Sequence, residues 1–171
     1  MFTFIRRLVA TAIAVASLLP AGVATAAPCW HPPVTAPVTD PFRQPACRWC
    51  PGNRGIEYGT PAGASVSALA TGRVSYAGTI AGVGYLVVRL AEGRRVTYGN
   101  ITAFHSMGDL VVRGSAVGVA AGRFHLGLRD GEEYVDPSPY LGRWSSRPRL
   151  IPTDGSSANP PGPPRVTCSR T

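Results

Sequence analysis

The chain of 171 residues carries 17 basic and 9 acidic residues, which gives it a formal net charge of +8 at pH 7. Every basic residue is an arginine, and the arginines are scattered rather than arranged in a stripe with aromatic residues, which argues against nucleic-acid binding. The length suits one domain with tails, and the positive charge favours a surface attracted to an anionic cell wall or membrane.

The N-terminus has the pattern of a signal peptide over residues 1–27. Arg6 and Arg7 precede the apolar run 8–19, and the small residues 24–26 suit a cleavage site. The apolar run is shorter than the roughly 20 residues of a membrane span. We therefore expect a cleaved leader, a secreted or cell-envelope protein and no stable membrane span; a retained anchor is the alternative.

Residues 28–51 are rich in proline, which predicts an extended N-terminal wrapper rather than a helix or a central strand. Its aromatic residues Trp30, Phe42 and Trp49 are expected to pack onto the domain. We therefore expect this segment, the N-terminal wrapper, to lie along the surface of the β-domain that follows it.

Four cysteines in an exported chain predict two disulfides. Three pairings are possible, and we favour Cys47 with Cys50 as a local clip and Cys29 with Cys168 as a link between the two ends of the domain. The alternative is a zinc site made of Cys29, His31, Cys47 and Cys50, because two soft pairs at close spacing bind zinc.

Short β-type segments separated by glycine turns fill residues 52–142. Strands are predicted at residues 66–70, 73–80, 85–90, 94–98, 110–112, 117–121 and 124–129, with turns at 82–84 and 91–93. No segment of helical length has a 3.6-residue apolar period, so we predict an all-β domain, an antiparallel sheet sandwich or a partly open barrel. Residues 143–171 are predicted to form a mobile tail, because residues 155–164 are poor in apolar side chains.

The domain begins with a polar turn that brings Asn53 and Glu57 to one place, which predicts a metal site or the remnant of one. In the structural alternative, both residues only cap the turn before Gly59. A hydrolytic zinc centre needs three protein ligands and an open position for water, and His31 and His105 are further candidates beside the cysteines and the carboxylates. The sequence has no nucleophile elbow, no phosphate-binding loop and no helical zinc motif.

Motifs within residues 50–142 resemble, in the same order, those of the LytM/lysostaphin-type zinc metallopeptidases. They are Asn53-Arg54-Gly55-Ile56-Glu57 with the turn Gly59-Thr60-Pro61-Ala62-Gly63, Thr97-Tyr98-Gly99-Asn100, Phe124-His125-Leu126-Gly127 and Val135-Asp136-Pro137. The resemblance implies an antiparallel β-sheet core with a groove across it. It also implies a relation to enzymes that cut the peptide cross-links of peptidoglycan.

The site positions depart from the family pattern. The first family motif, H-x-x-x-D, supplies two zinc ligands, and its positions hold Asn53 and Glu57. The second motif, H-x-H, supplies a general base or transition-state stabiliser and the third ligand, and its positions hold His125 and Gly127. Asn100 replaces a further catalytic histidine. By this resemblance His125 is the retained catalytic position, and three positions are vestigial ligand positions, namely Asn53, Glu57 and Gly127.

An amide is a poor substitute for imidazole at zinc, and glycine offers no side chain, so we predict neither bound zinc nor another cofactor. The first functional hypothesis is a catalytically inactive secreted domain that binds peptidoglycan or its stem peptides, or regulates a cell-wall hydrolase. The resemblance implies that its groove is lined by Tyr58, Tyr98, Asn100 and His125.

Two further hypotheses remain open at the level of sequence. One is an active zinc endopeptidase that cuts peptidoglycan with a rebuilt ligand set, made of Glu57, His125 and either His105 or a cysteine. The other is a purely structural envelope protein whose proline-rich ends contact a partner.

Overall fold

The computed structural model describes residues 29–145, 152–154, 156, 160 and 165–168. The predicted signal peptide and most of the predicted mobile segment 155–164 lie outside the described residues. The strands are β1 (Val38–Asp40), β2 (Gly55–Tyr58), β3 (Ser65–Ser67), β4 (Gly72–Ile80), β5 (Val83–Leu90), β6 (Arg95–Ala103), β7 (Leu110–Val111), β8 (Ala116–Asp130), β9 (Glu133–Val135), β10 (Arg143–Ser145) and β11 (Arg165–Thr167), and a 3-10 helix spans Ser138–Tyr140.

Nine of these strands form one antiparallel sheet, which confirms the predicted all-β fold. The order across the sheet is β1-β2-β8-β6-β5-β4-β7, and β3 and β9 also pair with β8. Strand β8 is the longest, at 15 residues, and lies between β2 and β6. Glu57 of the first polar motif lies on β2 and His125 of the second lies on β8, so these two side chains meet on one face of this sheet.

The hydrophobic core lies on the other face, because apolar side chains alternate along the strands. In β8, Phe124, Leu126 and Leu128 are fully buried, and Ile56 of β2 packs in the same cluster. A truncation of Leu126 to alanine would cost about 2–5 kcal/mol in such a core. In the second half of β8 this alternation turns Arg123, His125, Gly127 and Arg129 away from the core.

Two segments beside the candidate site differ from the sequence-based prediction. Residues 55–58, predicted as part of a polar turn, form strand β2, because Ile56 and Tyr58 alternate with residues of the opposite face and bury their side chains. Residues 116–130, predicted as two strands, form the single strand β8, which continues through Gly122 at a φ of 142°. In both places long-range pairing overrides the local turn-like composition.

The structure contains both favoured disulfides. Cys29 pairs with Cys168 across Cα atoms 5.8 Å apart, and Cys47 pairs with Cys50 at 4.9 Å. The alternative zinc site is therefore wrong, because these four cysteines have no free thiolate.

Trp30 anchors the start of the N-terminal wrapper to the domain. This side chain is buried, it packs against Tyr140 at a ring-centroid distance of 5.0 Å, and its backbone forms a bridge to Leu141. Phe42 packs against the core as expected. Trp49 does not, because its side chain is 85% exposed on the loop closed by the second disulfide.

The described ends of the C-terminal region are ordered against each other. Arg143–Ser145 pairs antiparallel with Arg165–Thr167, next to Cys168 and its disulfide to Cys29. No helix among the described residues is long and apolar enough to cross a membrane.

Candidate functional site

A groove of about 550 Å³ lies on the sheet face opposite the core, where β2, β8, β6 and β5 run side by side. Most of its lining side chains are polar, and two of the lining residues are glycines, Gly99 and Gly127. The lining residues are Arg54, Glu57, Val83, Tyr85, Thr97, Gly99, Asn100, Arg123, His125, Gly127, Arg129 and Tyr134. Three arginines and one glutamate give the groove a net positive charge.

Glu57 and His125 meet at the centre of this groove. They are direct partners in the β2–β8 register, and Glu57 Oε1 lies 2.7 Å from His125 Nδ1. Both side chains are largely shielded from solvent, at 14% and 25% exposed. Arg123 Nε lies 3.6 Å from the other carboxylate oxygen, Glu57 Oε2. The carboxylate is therefore held between an imidazole and a guanidinium.

The imidazole of His125 lies in a slot left by two glycines. A Cβ atom placed on Gly55 would lie only 2.6 Å from His125 Cε1, and one placed on Gly127 would lie 3.2 Å from His125 Nε2. Any side chain at position 55 would displace the ring. The His125 ring thus lies beside the position from which the second histidine of the H-x-H motif would project.

Asn53 lies outside the groove lining, at the start of β2. Its Nδ2 donates to the carbonyl oxygens of Asp40 and Pro41, at 3.3 and 3.1 Å, and its Oδ1 accepts from the Gly55 backbone N–H at 3.3 Å. The side chain is 8% exposed. It ties the wrapper to β2, so the structure gives it the role of a local backbone cap.

Asn100 lines the groove at a β-bulge in strand β6. Its φ of 58° is a left-handed conformation that asparagine tolerates better than most residues. Its Nδ2 donates to the Arg123 carbonyl oxygen at 2.8 Å. The bulge and this hydrogen bond shape the groove between β6 and β8.

The prediction that Tyr58 and Tyr98 line the groove is wrong. Both side chains are buried in the core, at 5% and 1% exposed, because strand alternation turns them away from Glu57 and Gly99. Tyr98 Oη accepts a hydrogen bond from the Leu69 backbone N–H at 2.9 Å. Burial raises the pKa of both phenols well above the ordinary value.

The rebuilt ligand set of the enzyme hypothesis is not assembled. His105 lies on the connection between β6 and β7, and its Nε2 donates to the Ala116 carbonyl oxygen at 3.3 Å. It is not part of the groove lining. His31 packs edge-on against Trp144 in the wrapper. Among the described residues, no three His, Cys, Asp or Glu side chains come together.

The residues present do not fit a hydrolytic zinc ion. Glu57 and His125 are hydrogen-bonded to each other, and Asn53 is hydrogen-bonded to the backbone. Gly127 has no side chain that could ligate a metal. Such a zinc ion needs three protein ligands and an open position.

Several groove residues were not singled out from the sequence: Arg54, Tyr85, Thr97, Arg123, Arg129 and Tyr134. The period of two along β8 could have indicated two of them, because Arg123 and Arg129 lie on the same face of the strand as His125. Once β8 is known to be one strand, this periodicity places the arginines in the groove.

Both the sequence and the fold of this chain are similar to those of known proteins. The model of peptidase family M23 matches residues 51–137, slightly more than half of the chain. No curated protein matches the chain in sequence.

Solved structures of low sequence identity share the fold. Helicobacter pylori Csd3 is 22% identical with a TM-score of 0.59, over 67% of this chain and 35% of Csd3. The catalytic domain of the antimicrobial peptidase lysostaphin from Staphylococcus simulans is 16% identical with a TM-score of 0.54, over 61% of this chain and 91% of that one. A chain of the SpoIIQ–SpoIIIAH pore-forming complex is 16% identical with a TM-score of 0.59, over 67% and 92%. The chain spans about a third of the length of Csd3.

Proposed function

The chain belongs to peptidase family M23, and from this premise we propose that it is a secreted domain that binds peptidoglycan, or regulates a cell-wall hydrolase, without cutting peptide bonds. In this proposal the groove that the chain shares with the family binds a ligand and catalyses no reaction. It assigns no zinc and no other cofactor to the site.

The donor chemistry of the groove supports an inactive domain. Glu57, at a vestigial ligand position, and His125, at the retained catalytic position, are hydrogen-bonded to each other at 2.7 Å. Without a bound zinc ion, nothing in the groove lowers the pKa of a water molecule toward neutrality. This pairing is the observation that carries the proposal.

The shape and charge of the groove support an extended anionic ligand. Gly99 and Gly127 are among its lining residues, so an extended peptide can approach the sheet closely at these two positions. Arg54, Arg123 and Arg129 line its walls and attract carboxylates. The peptide stems of peptidoglycan are the ligand class that the family resemblance implies, and the net positive charge of the chain favours an anionic wall.

Secretion is supported by independent features. The N-terminal sequence has the pattern of a signal peptide, and the domain holds two disulfides, which form and persist in oxidising compartments. A protein partner is supported by the SpoIIQ–SpoIIIAH complex, in which a chain of this fold is part of an assembly.

A retention assay on purified peptidoglycan tests the proposal. The mature protein is sedimented with the insoluble wall, and the retained fraction is compared with that of Arg123→Glu, a groove variant, and Arg113→Glu, a variant of an exposed arginine outside the groove lining. We expect retention of the wild type and of Arg113→Glu, and a several-fold loss for Arg123→Glu. No retention above a denatured control would overturn wall binding, and accumulation of new amino groups in the supernatant would overturn inactivity.

A further inference from the structure

A second pocket of about 930 Å³ opens beside the groove and shares Arg54, Arg129 and Tyr134 with it. One wall is the loop closed by the Cys47–Cys50 disulfide, and the other is the turn between β8 and β9. The pocket is therefore a lateral extension of the groove. None of the family motifs in the sequence lies on the disulfide loop.

The disulfide loop is held in place from two sides. The Cys50 backbone N–H donates to the Cys47 carbonyl oxygen at 3.1 Å inside the loop, and Arg54 Nη2 donates to the Arg48 carbonyl oxygen at 2.7 Å. Trp49 is nevertheless 85% exposed on this constrained loop. A large aromatic side chain that is exposed on a constrained loop offers a contact surface with few rotatable bonds, and so at low entropic cost.

Two guanidinium groups lie over aromatic rings of this pocket. The guanidinium of Arg48 lies over the Trp49 ring at 5.1 Å, and that of Arg54 lies over the Tyr134 ring at 5.5 Å. Among the described residues, neither arginine forms an ion pair. Arg129, by contrast, is neutralised by Glu132 at 2.8 Å.

The acidic residues of the pocket do not cancel the positive charge of its arginines. The pocket lining holds three arginines and two glutamates, and Glu132 is already bonded to Arg95 and Arg129. Apart from the Arg54 Nη2 donor that binds the Arg48 carbonyl oxygen, the in-plane N–H donors of these two guanidinium groups can bind a carboxylate.

We propose that this pocket is a subsite for a carboxylate of a peptide that continues out of the groove, with Trp49 packing against the peptide and Arg48 and Arg54 binding the carboxylate. This inference rests on the proposed function for its ligand class. A peptide is favoured over a saccharide because the pocket opens directly into a groove floored by sheet backbone, along which a peptide can extend.

Equilibrium binding of a defined peptide tests the subsite apart from the wall. The probe is a stem tetrapeptide from digested peptidoglycan, compared with the same tetrapeptide after amidation of its carboxyl groups. Binding is measured by isothermal titration calorimetry for the wild type, Trp49→Ala and Arg48→Gln. Trp49→Phe serves as the conservative variant, and Arg113→Gln removes the same charge from outside the pocket.

We expect amidation to weaken binding to the wild type about tenfold, the typical effect of losing a charged hydrogen bond. Trp49→Ala and Arg48→Gln should weaken binding of the free acid by a similar factor, and Arg48→Gln should distinguish the acid from the amide less strongly than the wild type does. Trp49→Phe should restore most of the affinity, and Arg113→Gln should bind as the wild type does.

Other outcomes would overturn the inference. Equal affinity for the acid and the amide in the wild type excludes carboxylate recognition, and unchanged affinity in Trp49→Ala and Arg48→Gln excludes this pocket. Trp49-dependent binding of glycan strands stripped of peptide, without tetrapeptide binding, assigns the pocket to a saccharide instead. If the wall still retains the protein in any of these cases, the proposed function stands while the subsite fails.

Discussion

Glu57 on β2 and His125 on β8 are register partners, and Glu57 Oε1 lies 2.7 Å from His125 Nδ1. The pair is completed by Arg123, whose Nε lies 3.6 Å from Glu57 Oε2. In the family pattern Glu57 stands at a zinc-ligand position, and His125 stands at the position of the general base or transition-state stabiliser. Here the Glu57 carboxylate instead accepts a hydrogen bond from the His125 ring.

The Glu57–His125 pair should contribute measurably to stability. A double-mutant cycle with Glu57→Ala and His125→Ala is expected to give a coupling energy of about 1–2 kcal/mol, because a partly buried hydrogen bond to a charged group is lost. Chemical denaturation of the four proteins measures it. The surface pair of Arg94 and Asp130 provides the control cycle and should couple more weakly, since Asp130 is 57% exposed. Coupling at Glu57–His125 no larger than in the control would mean that the contact is not formed.

Asn53 should act on stability rather than on binding. Asn53→Ala removes two hydrogen bonds to the wrapper and one to the Gly55 N–H, so we expect a loss of about 1–3 kcal/mol in the free energy of unfolding. Asn53→Asp keeps the acceptor for Gly55 but loses both donors, and should also be destabilised. Retention on the wall, compared at equal amounts of folded protein, should be unchanged in both variants. A variant that keeps full stability but loses retention would place Asn53 in the binding surface.

The buried tyrosines predict a loss of stability in alkali. Burial raises the pKa of Tyr58 and Tyr98 above the unfolded value of about 10. The folded protein thus holds these protons more tightly, so their contribution is intact below about pH 10 and is lost as the pH rises above it. The midpoint of thermal unfolding should fall steeply above pH 10, and less steeply in Tyr98→Phe than in Tyr76→Phe, whose ring is 37% exposed. Equal slopes in the two variants would contradict the burial of Tyr98.

The long-range disulfide should matter more than the local one. The Cys29–Cys168 bond spans 139 positions, whereas Cys47–Cys50 spans 3. In the loop-entropy description, replacing Cys29 and Cys168 by serine costs about 4–5 kcal/mol, and replacing Cys47 and Cys50 costs much less. Unfolding of the two double variants in denaturant measures the difference. A larger loss for the Cys47–Cys50 variant would contradict the assignment of Cys29–Cys168 as the clamp of the domain.

Much of the fold followed from the sequence because alternation and glycine turns are local signals. Strand β2 was missed because Gly55 and its polar neighbours have the composition of a turn. Its pairing with β8 joins residues 68 positions apart, as in Glu57 and His125. No local pattern predicts a pairing of that range, so the strand becomes evident only once β8 is in place.

The sequence predicted some of the residues that line the groove, but not the directions of the side chains around them. The motif positions predicted that Glu57 and His125 share a groove, and the structure brings them together. The direction of Asn53 depends on two carbonyl groups of the proline-rich wrapper, which no periodicity encodes. Tyr98 was assigned to the groove although His125 pairs with Gly99, and adjacent residues of a strand face opposite sides.

The most direct test of a groove that binds the wall without zinc is retention on purified peptidoglycan with and without EDTA. Metal-independent binding predicts the same retained fraction in both conditions, with no soluble peptides released. Retention that disappears in EDTA, or peptide release that EDTA abolishes, would contradict it and would show that the groove holds a working metal ion.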